Sequence, residues 1–94
     1  MKKSELTEAL ANELNLSTRT TMGIISTILD SMTNALANGE NIEIRGFGSF
    51  TVRHYKPYVA RNPKSGEEIE VKAKKLPFFK VGKDLREAVN AGMK

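Results

Sequence analysis

Basic residues are concentrated in one part of the sequence, residues 53 to 75. This segment holds seven Lys or Arg residues and three Glu residues, a net charge of +4, which equals the net charge of the whole 94-residue chain. The rest of the chain is therefore neutral. Because the excess is confined to one segment, it indicates a surface that binds the phosphates of a polyanion. The alternative is a solvated charge run without function.

The middle of this segment, Arg61-Asn62-Pro63-Lys64-Ser65-Gly66, is rich in turn-forming residues. Residues 50–56 before it and residues 68–75 after it alternate with period two, as strands do. The pattern predicts one long hairpin. Its first strand has few large apolar residues beyond Val52, so we expect an arm that projects into solvent.

The tip of the arm indicates how it would meet a duplex. A two-stranded ribbon fits the major groove, or a minor groove that widens to take it. Reading bases in the major groove requires a row of Arg, Asn and Gln, and only Arg61 and Asn62 come near that. Pro63 is instead a rigid apolar wedge between two cations, Arg61 and Lys64. A wedge of this kind suits the unstacking of a base step from the minor-groove side.

Residues for catalysis or for metal binding are scarce. The chain has no cysteine, and no nucleophile, base or ligand set surrounds its single histidine, His54. Gly46 and Gly48 flank Phe47, but neither the Lys-Ser/Thr pair nor the helix of a phosphate loop follows. We predict that the protein is not an enzyme and uses no metal or cofactor.

Two helices are predicted before the arm. Ser4 is the expected cap of the first, and Leu6, Ala9, Leu10 and Leu14 form its buried stripe. The second runs from a Ser17 cap to Asn38-Gly39 and is apolar over a wider arc than one small neighbour could cover. We expect a second chain to cover the rest of this apolar arc. Gly23 either lets another backbone approach closely or is simply a surface glycine.

The remaining body is predicted to be a small sheet and a last helix. Residues 41–45 alternate as a strand, the glycines of 46–48 allow a tight reversal, and Phe47, Phe50 and Phe79 are expected in a core. A short helix starts at Gly82-Lys83-Asp84. The N-terminus lacks a signal peptide's apolar core and no apolar run has membrane-spanning length, so we expect a soluble intracellular protein.

These motifs together resemble a known family. Two helices, Gly46-Phe47-Gly48-Ser49-Phe50, a basic arm with Arg61-Asn62-Pro63 and a Gly66 turn, then Pro77, Phe79, Lys80 and Gly82-Lys83 before a last helix are similar to the bacterial HU and integration host factor proteins. The resemblance covers essentially the whole chain. Segment 43–50 is most similar to the beta subunit of integration host factor.

The resemblance implies an α+β fold in an intertwined dimer, with a three-stranded antiparallel saddle, a protruding two-stranded β-ribbon arm and a short C-terminal helix. Residues 1–94 would form a single domain. Within it, residues 1–39 would form the helical dimerisation base, residues 40–52 and 76–94 the saddle and last helix, and residues 53–75 the DNA-binding arm. Such proteins bind the minor groove, bend the duplex with apolar wedges and compact DNA, in the bacterial nucleoid of the cytoplasm.

The resemblance also implies roles for individual residues. Pro63 would intercalate. The residues that would line the arm are Arg53, Lys56, Arg61, Asn62, Lys64, Lys72, Lys74 and Lys75. Those that would contact DNA from the body are Lys2, Lys3, Arg45, Gly46, Lys80, Lys83 and Arg86. The dimer core would contain Phe47, Phe50 and Phe79. Arg45 would donate to base edges with Glu43 orienting it, unless the two form a solvated surface pair.

The arm departs from the family pattern. Tyr58-Val59-Ala60 stands where many relatives have a sequence of the Arg-Thr-Gly type, and Tyr55 is also uncharged. We expect weaker or more stacking-dependent arm binding, with Tyr55 or Tyr58 against sugar rings or packed within the ribbon. The expected partner is double-stranded DNA, bound by a homodimer or by a heterodimer with a related subunit. Structured RNA, or the strand edge of another protein, are the alternative partners.

Overall fold

The computed structural model describes residues 1–92, which form three helices and five strands. In chain order these are α1 (Lys3–Leu14), α2 (Thr18–Ala37), β1 (Ile42–Ile44), β2 (Gly48–Tyr55), β3 (Tyr58–Arg61), β4 (Glu68–Val71), β5 (Lys74–Val81) and α3 (Lys83–Ala91). The predicted α+β class is confirmed. The chain forms two compact units, Met1–Ala35 and the segment from Leu36 onward.

Helix α1 starts earlier than predicted. The Lys2 backbone N–H donates to Oε1 of Glu5 at 3.2 Å, so the Glu5 carboxylate satisfies a donor that precedes the first turn. Lys3 is the first helical residue, and Ser4 lies inside the first turn. The predicted Ser4 cap is therefore wrong. The helix begins before Ser4, and the Glu5 side chain accepts the hydrogen bond at its N-terminal end.

Both predicted ends of α2 are confirmed. Oγ of Ser17 accepts the Thr20 backbone N–H at 3.1 Å, which is the hydrogen bond of a helix cap. At the other end Gly39 has φ +81°, and its N–H donates to the Leu36 carbonyl at 3.0 Å. Glycine adopts this left-handed conformation without strain, and the helix stops there.

The buried positions of the N-terminal unit are mostly small or polar. Thr7 and Ala11 in α1 and Thr21 and Ile25 in α2 are buried. Each threonine hydroxyl donates to the carbonyl one turn earlier in its own helix, at 2.8 Å from Thr7 and 2.9 Å from Thr21. Because these hydroxyls are satisfied within their own helices, their burial leaves no unpaired polar group.

The large apolar side chains of these helices remain exposed. Leu6 and Leu14 are 44% and 51% exposed, and Leu10 is half-buried. The prediction that they form a buried stripe is therefore wrong for the fold of a single chain. In α2, Met22 and Ile28 are 50% and 51% exposed. The apolar arc of this unit is much wider than the surface that its own residues cover.

The second unit contains a three-stranded antiparallel sheet in the order β1-β2-β5. In its register Ile42 faces Phe50, and β2 pairs with β5 from Gly48 opposite Val81 to Tyr55 opposite Lys74. The predicted three-stranded antiparallel sheet is confirmed. Strands β3 and β4 form a separate two-stranded antiparallel sheet.

The predicted long hairpin is interrupted. Strand β2 ends at Tyr55 and β3 begins at Tyr58, with Pro57 between them, and β4 and β5 are likewise separated. Proline has no N–H for the ladder, which accounts for the break on the outgoing side. Residues 53–55 and 74–75, at the two ends of the predicted arm, pair within the three-stranded sheet. We call residues 56–73 the distal ribbon.

The three-stranded sheet has two chemically different faces, since directly opposed residues of antiparallel strands share a face. The apolar face carries Ile42, Ile44, Phe50, Val52, Pro77, Phe79 and Val81, and at the end near the distal ribbon it also carries His54 and Lys75. The basic face carries Glu43, Ser49, Thr51, Arg53, Tyr55, Lys74, Leu76, Phe78 and Lys80. Phe79 contacts Phe50 and Phe47, with ring centroids 4.7 and 5.6 Å apart, which confirms that these three rings pack together.

The reversal between β1 and β2 also supports the start of α3. The Leu85 N–H donates to the Gly46 carbonyl at 3.1 Å, and the Gly82 N–H donates to the Phe47 carbonyl at 2.8 Å. Gly46 has φ +83°, and a Cβ there would lie 2.9 Å from Oδ2 of Asp84. Glycine is favoured at this position because it adopts the left-handed conformation without strain, and a Cβ would in addition push the Asp84 carboxylate aside.

Candidate nucleic-acid interface

The tip of the distal ribbon is a hydrogen-bonded turn that presents Pro63 to solvent. The Asn62 N–H donates to the Glu67 carbonyl and the Gly66 N–H donates to the Asn62 carbonyl, both at 2.8 Å. Oδ1 of Asn62 accepts the Lys64 N–H at 2.9 Å. Asn62 therefore holds the turn through backbone and side chain, and only its amide nitrogen is left to contact a ligand.

Arg61 lies at the end of β3, beside the turn. Its Nη2 is 3.9 Å from Oε1 of Glu68, its partner in the ladder, and the two side chains are 73% and 71% exposed. An ion pair this open to water contributes roughly 0–1 kcal/mol. Arg61 can therefore exchange Glu68 for a phosphate at little cost.

The distal ribbon carries little net charge of its own. It holds four cations, Lys56, Arg61, Lys64 and Lys72, against three carboxylates, Glu67, Glu68 and Glu70, a net of +1. The other three positive charges of the predicted arm, Arg53, Lys74 and Lys75, lie where the ribbon joins the three-stranded sheet. The positive charge is thus greatest at the root of the arm and smallest along the projecting part.

The distal ribbon also has two faces. Tyr58 and Ala60 of β3 share one face with Ile69 and Val71 of β4. The opposite face carries Val59, Arg61, Glu68 and Glu70. Carboxylates are repelled by a phosphate backbone, so the apolar face is the better suited to lie against a duplex. Such contacts are less sensitive to salt than ion pairs.

Arg53 lies on the basic face and stacks on an aromatic ring. The centre of its guanidinium is 3.4 Å from the ring centroid of Phe78, which lies diagonally across the β2–β5 ladder. An aromatic ring under an arginine attracts the charge and restricts the side chain. The sequence prediction named Arg53 and missed Phe78. Placing the two together requires the strand register.

The adjacent lysines at the start of β5 have different surroundings. Lys74 is opposite Tyr55 and shares the basic face with Arg53. Lys75 is opposite His54, and its Nζ donates to the Ala37 carbonyl at 3.3 Å, at the end of α2. The structure therefore groups Lys74 with the other cations of the sheet and directs Lys75 toward the helix.

The body residues of the second unit lie in three places. Arg45 and Gly46 lie at the turn after β1, where Gly46 contacts α3. Lys80 is on the basic face, opposite Ser49. Lys83 and Arg86 are exposed on α3, and Nζ of Lys83 is 4.0 Å from Oε1 of Glu87. Among residues 1–92, no ion pair joins Glu43 to Arg45. Both interpretations of this pair, orientation of Arg45 by Glu43 and a solvated surface pair, therefore stay predictions.

Lys2 and Lys3 belong to the other unit, at the start of α1. Both are exposed, and Nζ of Lys3 lies 3.5 Å from Oγ of Ser26. Their backbone N–H groups lie at the positive end of the helix, where an anion is favoured. The predicted phosphate contact at this position stays a prediction.

Residues 1–92 contain no group of three His, Cys, Asp or Glu side chains arranged to hold a metal ion. None of the helices described is long and apolar enough to cross a membrane.

Sequence comparisons identify related proteins along nearly the whole chain. The profile of a family described as bacterial DNA-binding protein matches residues 1–90. Integration host factor subunit beta of Bordetella petrii is 54% identical over 91 residues, which cover 96% of this chain and 76% of that protein. The corresponding subunit of Colwellia psychrerythraea is 52% identical, with 96% of each chain covered.

Solved structures share the fold. A cocrystal structure of Anabaena HU with DNA matches with a TM-score of 0.84 and 34% sequence identity, covering 95% of this chain and 97% of that one. HU from Thermotoga maritima matches with a TM-score of 0.68 at 34% identity, covering 95% and 98% of the two chains.

Proposed function

Because this chain belongs to the bacterial DNA-binding protein family, which its similarity to HU and integration host factor subunits makes plain, we propose that it is a dimeric architectural protein. It binds the minor groove of double-stranded DNA, bends it and compacts it. Membership of this family, whose members act by binding DNA, confirms the prediction that the chain is not an enzyme.

The observation that carries this proposal is the basic face of the three-stranded sheet. Arg53, Lys74 and Lys80 share that face, and its single carboxylate, on Glu43, is at the far strand. The fold that presents it matches, with a TM-score of 0.84, an HU protein whose structure contains DNA. Three cations on one face of a sheet suit contact with the phosphates of a polyanion.

Bending is assigned to the exposed turn at the tip of the distal ribbon. Pro63 is an exposed apolar residue on a turn fixed by three hydrogen bonds, so it is rigid as well as accessible. Inserting such a wedge into a base step partly unstacks it and kinks the duplex toward the major groove. The apolar face of the distal ribbon then lies against the groove walls.

A dimer is supported by the exposed apolar side chains. Two residues of the described chain, Ala11 and Ile25, make up its buried hydrophobic core, while Leu6, Ile28 and Phe79 are among many large apolar residues left exposed. A core this small does not stabilise a 94-residue chain alone. The relatives at about half identity are each named as subunit beta, which favours a related second chain as partner over an identical one.

The cellular location follows from the proposed ligand. A protein that binds and compacts double-stranded DNA in a bacterium acts in the nucleoid, within the cytoplasm.

The test is a titration of purified protein against one duplex labelled at both ends, at several salt concentrations. We expect binding whose log-log salt slope corresponds to several phosphates, at about −0.9 per phosphate, together with a rise in end-to-end energy transfer. Structured RNA is the competitor. Binding without a change in energy transfer would contradict bending, and stronger competition by RNA than by unlabelled DNA would contradict the assigned ligand.

A further inference from the structure

We propose that Lys75 is a positioning residue that anchors the root of the arm to the end of α2, and that it is not a phosphate contact. This role departs from the predicted one, in which Lys75 was one of eight arm residues on DNA. The inference rests on the proposed function only for the DNA-binding part of its test.

Lys75 lies on the side of the sheet opposite to the basic face. Side chains of a strand alternate between the two faces of a sheet. Lys74 shares the basic face with Arg53 and Lys80, whereas Lys75 is opposite His54, on the face that also carries Pro77 and Phe79. A ligand lying across the basic face therefore meets Lys74 and not Lys75.

Lys75 contacts the C-terminal end of α2. Its Nζ donates to the carbonyl of Ala37 at 3.3 Å, and Ala37 is the last residue of α2. The final carbonyls of a helix have no partner within the helix, and a cation near them also interacts favourably with the helix dipole. An ammonium group placed there satisfies both requirements.

Helix α2 has no cation of its own at its C-terminal end. This helix has 20 residues and none in its last turn is basic. The positive charge that commonly stabilises a helix C-terminus is thus supplied from outside the helix, by a residue 38 positions further along the chain. Because Lys75 belongs to β5, which pairs with β2 at the base of the distal ribbon, the contact ties the helix end to the origin of the arm.

Adjacent lysines make a matched pair for the test. Lys75→Met and Lys74→Met each remove one charge and keep an unbranched side chain of similar length. Thermal unfolding is followed at one fixed protein concentration, because the stability of an oligomer depends on it. We expect Lys75→Met to lower Tm by about 2–5 °C, as loss of an exposed helix-end charge does, and Lys74→Met to leave it unchanged. Lys75→Arg should restore the Tm.

DNA binding by the same variants should show the opposite pattern. Lys74→Met should make the log-log salt slope less steep by about 0.9, the value for one phosphate, whereas Lys75→Met should leave the slope unchanged. At saturating protein, Lys75→Met should reduce the energy-transfer signal of the bent duplex, and Lys75→Arg should recover it. A purely stabilising residue would not alter bending once the protein is saturating.

Three outcomes would overturn the assignment. A salt slope reduced by Lys75→Met would make the residue a phosphate contact. Equal Tm values for wild type and Lys75→Met would remove the helix anchor. An unchanged bend would remove the positioning role. If the wild-type protein itself failed to bind duplexes, the proposed function would fail, while the Tm comparison would still decide whether Lys75 anchors α2.

Discussion

At the scale of single residues, the contact between Arg53 and Phe78 is a device for holding a flexible cation in place. An arginine side chain loses rotamer freedom when it binds a phosphate, and a ring stacked 3.4 Å beneath its guanidinium removes part of that freedom in advance. The stacking should therefore increase the affinity for DNA, because it keeps the guanidinium on the basic face.

A double-mutant cycle tests this idea. Phe78→Leu should weaken DNA binding about 2–5-fold in the wild-type background and have no effect in an Arg53→Ala background, which corresponds to a coupling of about 0.5–1 kcal/mol. The measurement is the dissociation constant at one low salt concentration. Phe78→Tyr retains the ring and should bind as the wild type does. Additive effects of the two changes would show that Phe78 acts independently of Arg53.

Pro63 makes a second prediction at this scale. Pro63→Ala removes most of the exposed ring at the tip but retains the Asn62 hydrogen bonds that hold the turn. We expect the bend angle, measured by energy transfer at saturating protein, to fall more than the affinity does, because the wedge acts on base stacking. Lys64→Ala, next in the same turn, should weaken binding and leave the bend largely unchanged. An equal bend with Ala at 63 would contradict intercalation.

At the scale of elements, the reversal between β1 and β2 is where the sheet supports α3. Gly46 combines φ +83° with a Cβ position 2.9 Å from the Asp84 carboxylate. Gly39 has nearly the same φ, +81°, with nothing within 4 Å of its Cβ position. The two glycines therefore differ in contact and agree in backbone conformation, which makes them a matched pair.

Substituting alanine at each position separates these two effects. Gly39→Ala should lower the free energy of unfolding by about 1–2 kcal/mol, the cost of left-handed backbone for a residue with Cβ. Gly46→Ala should lower it by up to about 1 kcal/mol more, because the exposed Asp84 carboxylate, 2.9 Å from the Cβ position, must rotate away. Denaturant unfolding at matched protein concentration measures both. Equal losses would indicate that Asp84 moves away without cost.

The elements also show what the sequence can and cannot predict. The sequence predicted both ends of α2, at Ser17 and Gly39, because caps are local signals. It also predicted that Phe47, Phe50 and Phe79 pack together, because the period-two alternation of a strand is local as well. The different surroundings of Lys74 and Lys75 could not. They depend on the pairing of β5 with β2 and on the hydrogen bond from Lys75 to Ala37. Both bring together residues that are far apart in sequence.

The prediction of a buried apolar stripe on α1 was wrong for a different reason. Spacing at three and four residues identifies which side of a helix is apolar, but it does not identify what covers that side. Leu6 and Leu14 form the predicted stripe and remain exposed, whereas Thr7 and Ala11 are buried. The same holds for Phe79 in the three-stranded sheet. Its apolar position could be predicted, but it packs on Phe50 and is still partly exposed.

At the scale of the whole molecule, these exposed apolar groups support the proposed dimer, on which both stability and DNA bending would depend. Ile28 is 51% exposed in the single chain, so a lysine there would change the stability of a true monomer by less than about 0.5 kcal/mol. In a dimer interface, the same lysine would bury an unpaired charge. That costs about 3 kcal/mol or more, a factor above about 100 in the dimer dissociation constant.

Ile28→Lys should therefore convert the protein, with its partner subunit if one is required, to monomers, and the unfolding midpoint should lose its dependence on protein concentration. DNA bending should disappear with it, because one chain presents one arm. Sedimentation and energy transfer measure the two effects. Asp30→Lys places the same side chain two residues away, at a position that is already charged and exposed, and should leave assembly intact. A dimeric, bending Ile28→Lys protein would show that this side of α2 faces solvent in the assembly.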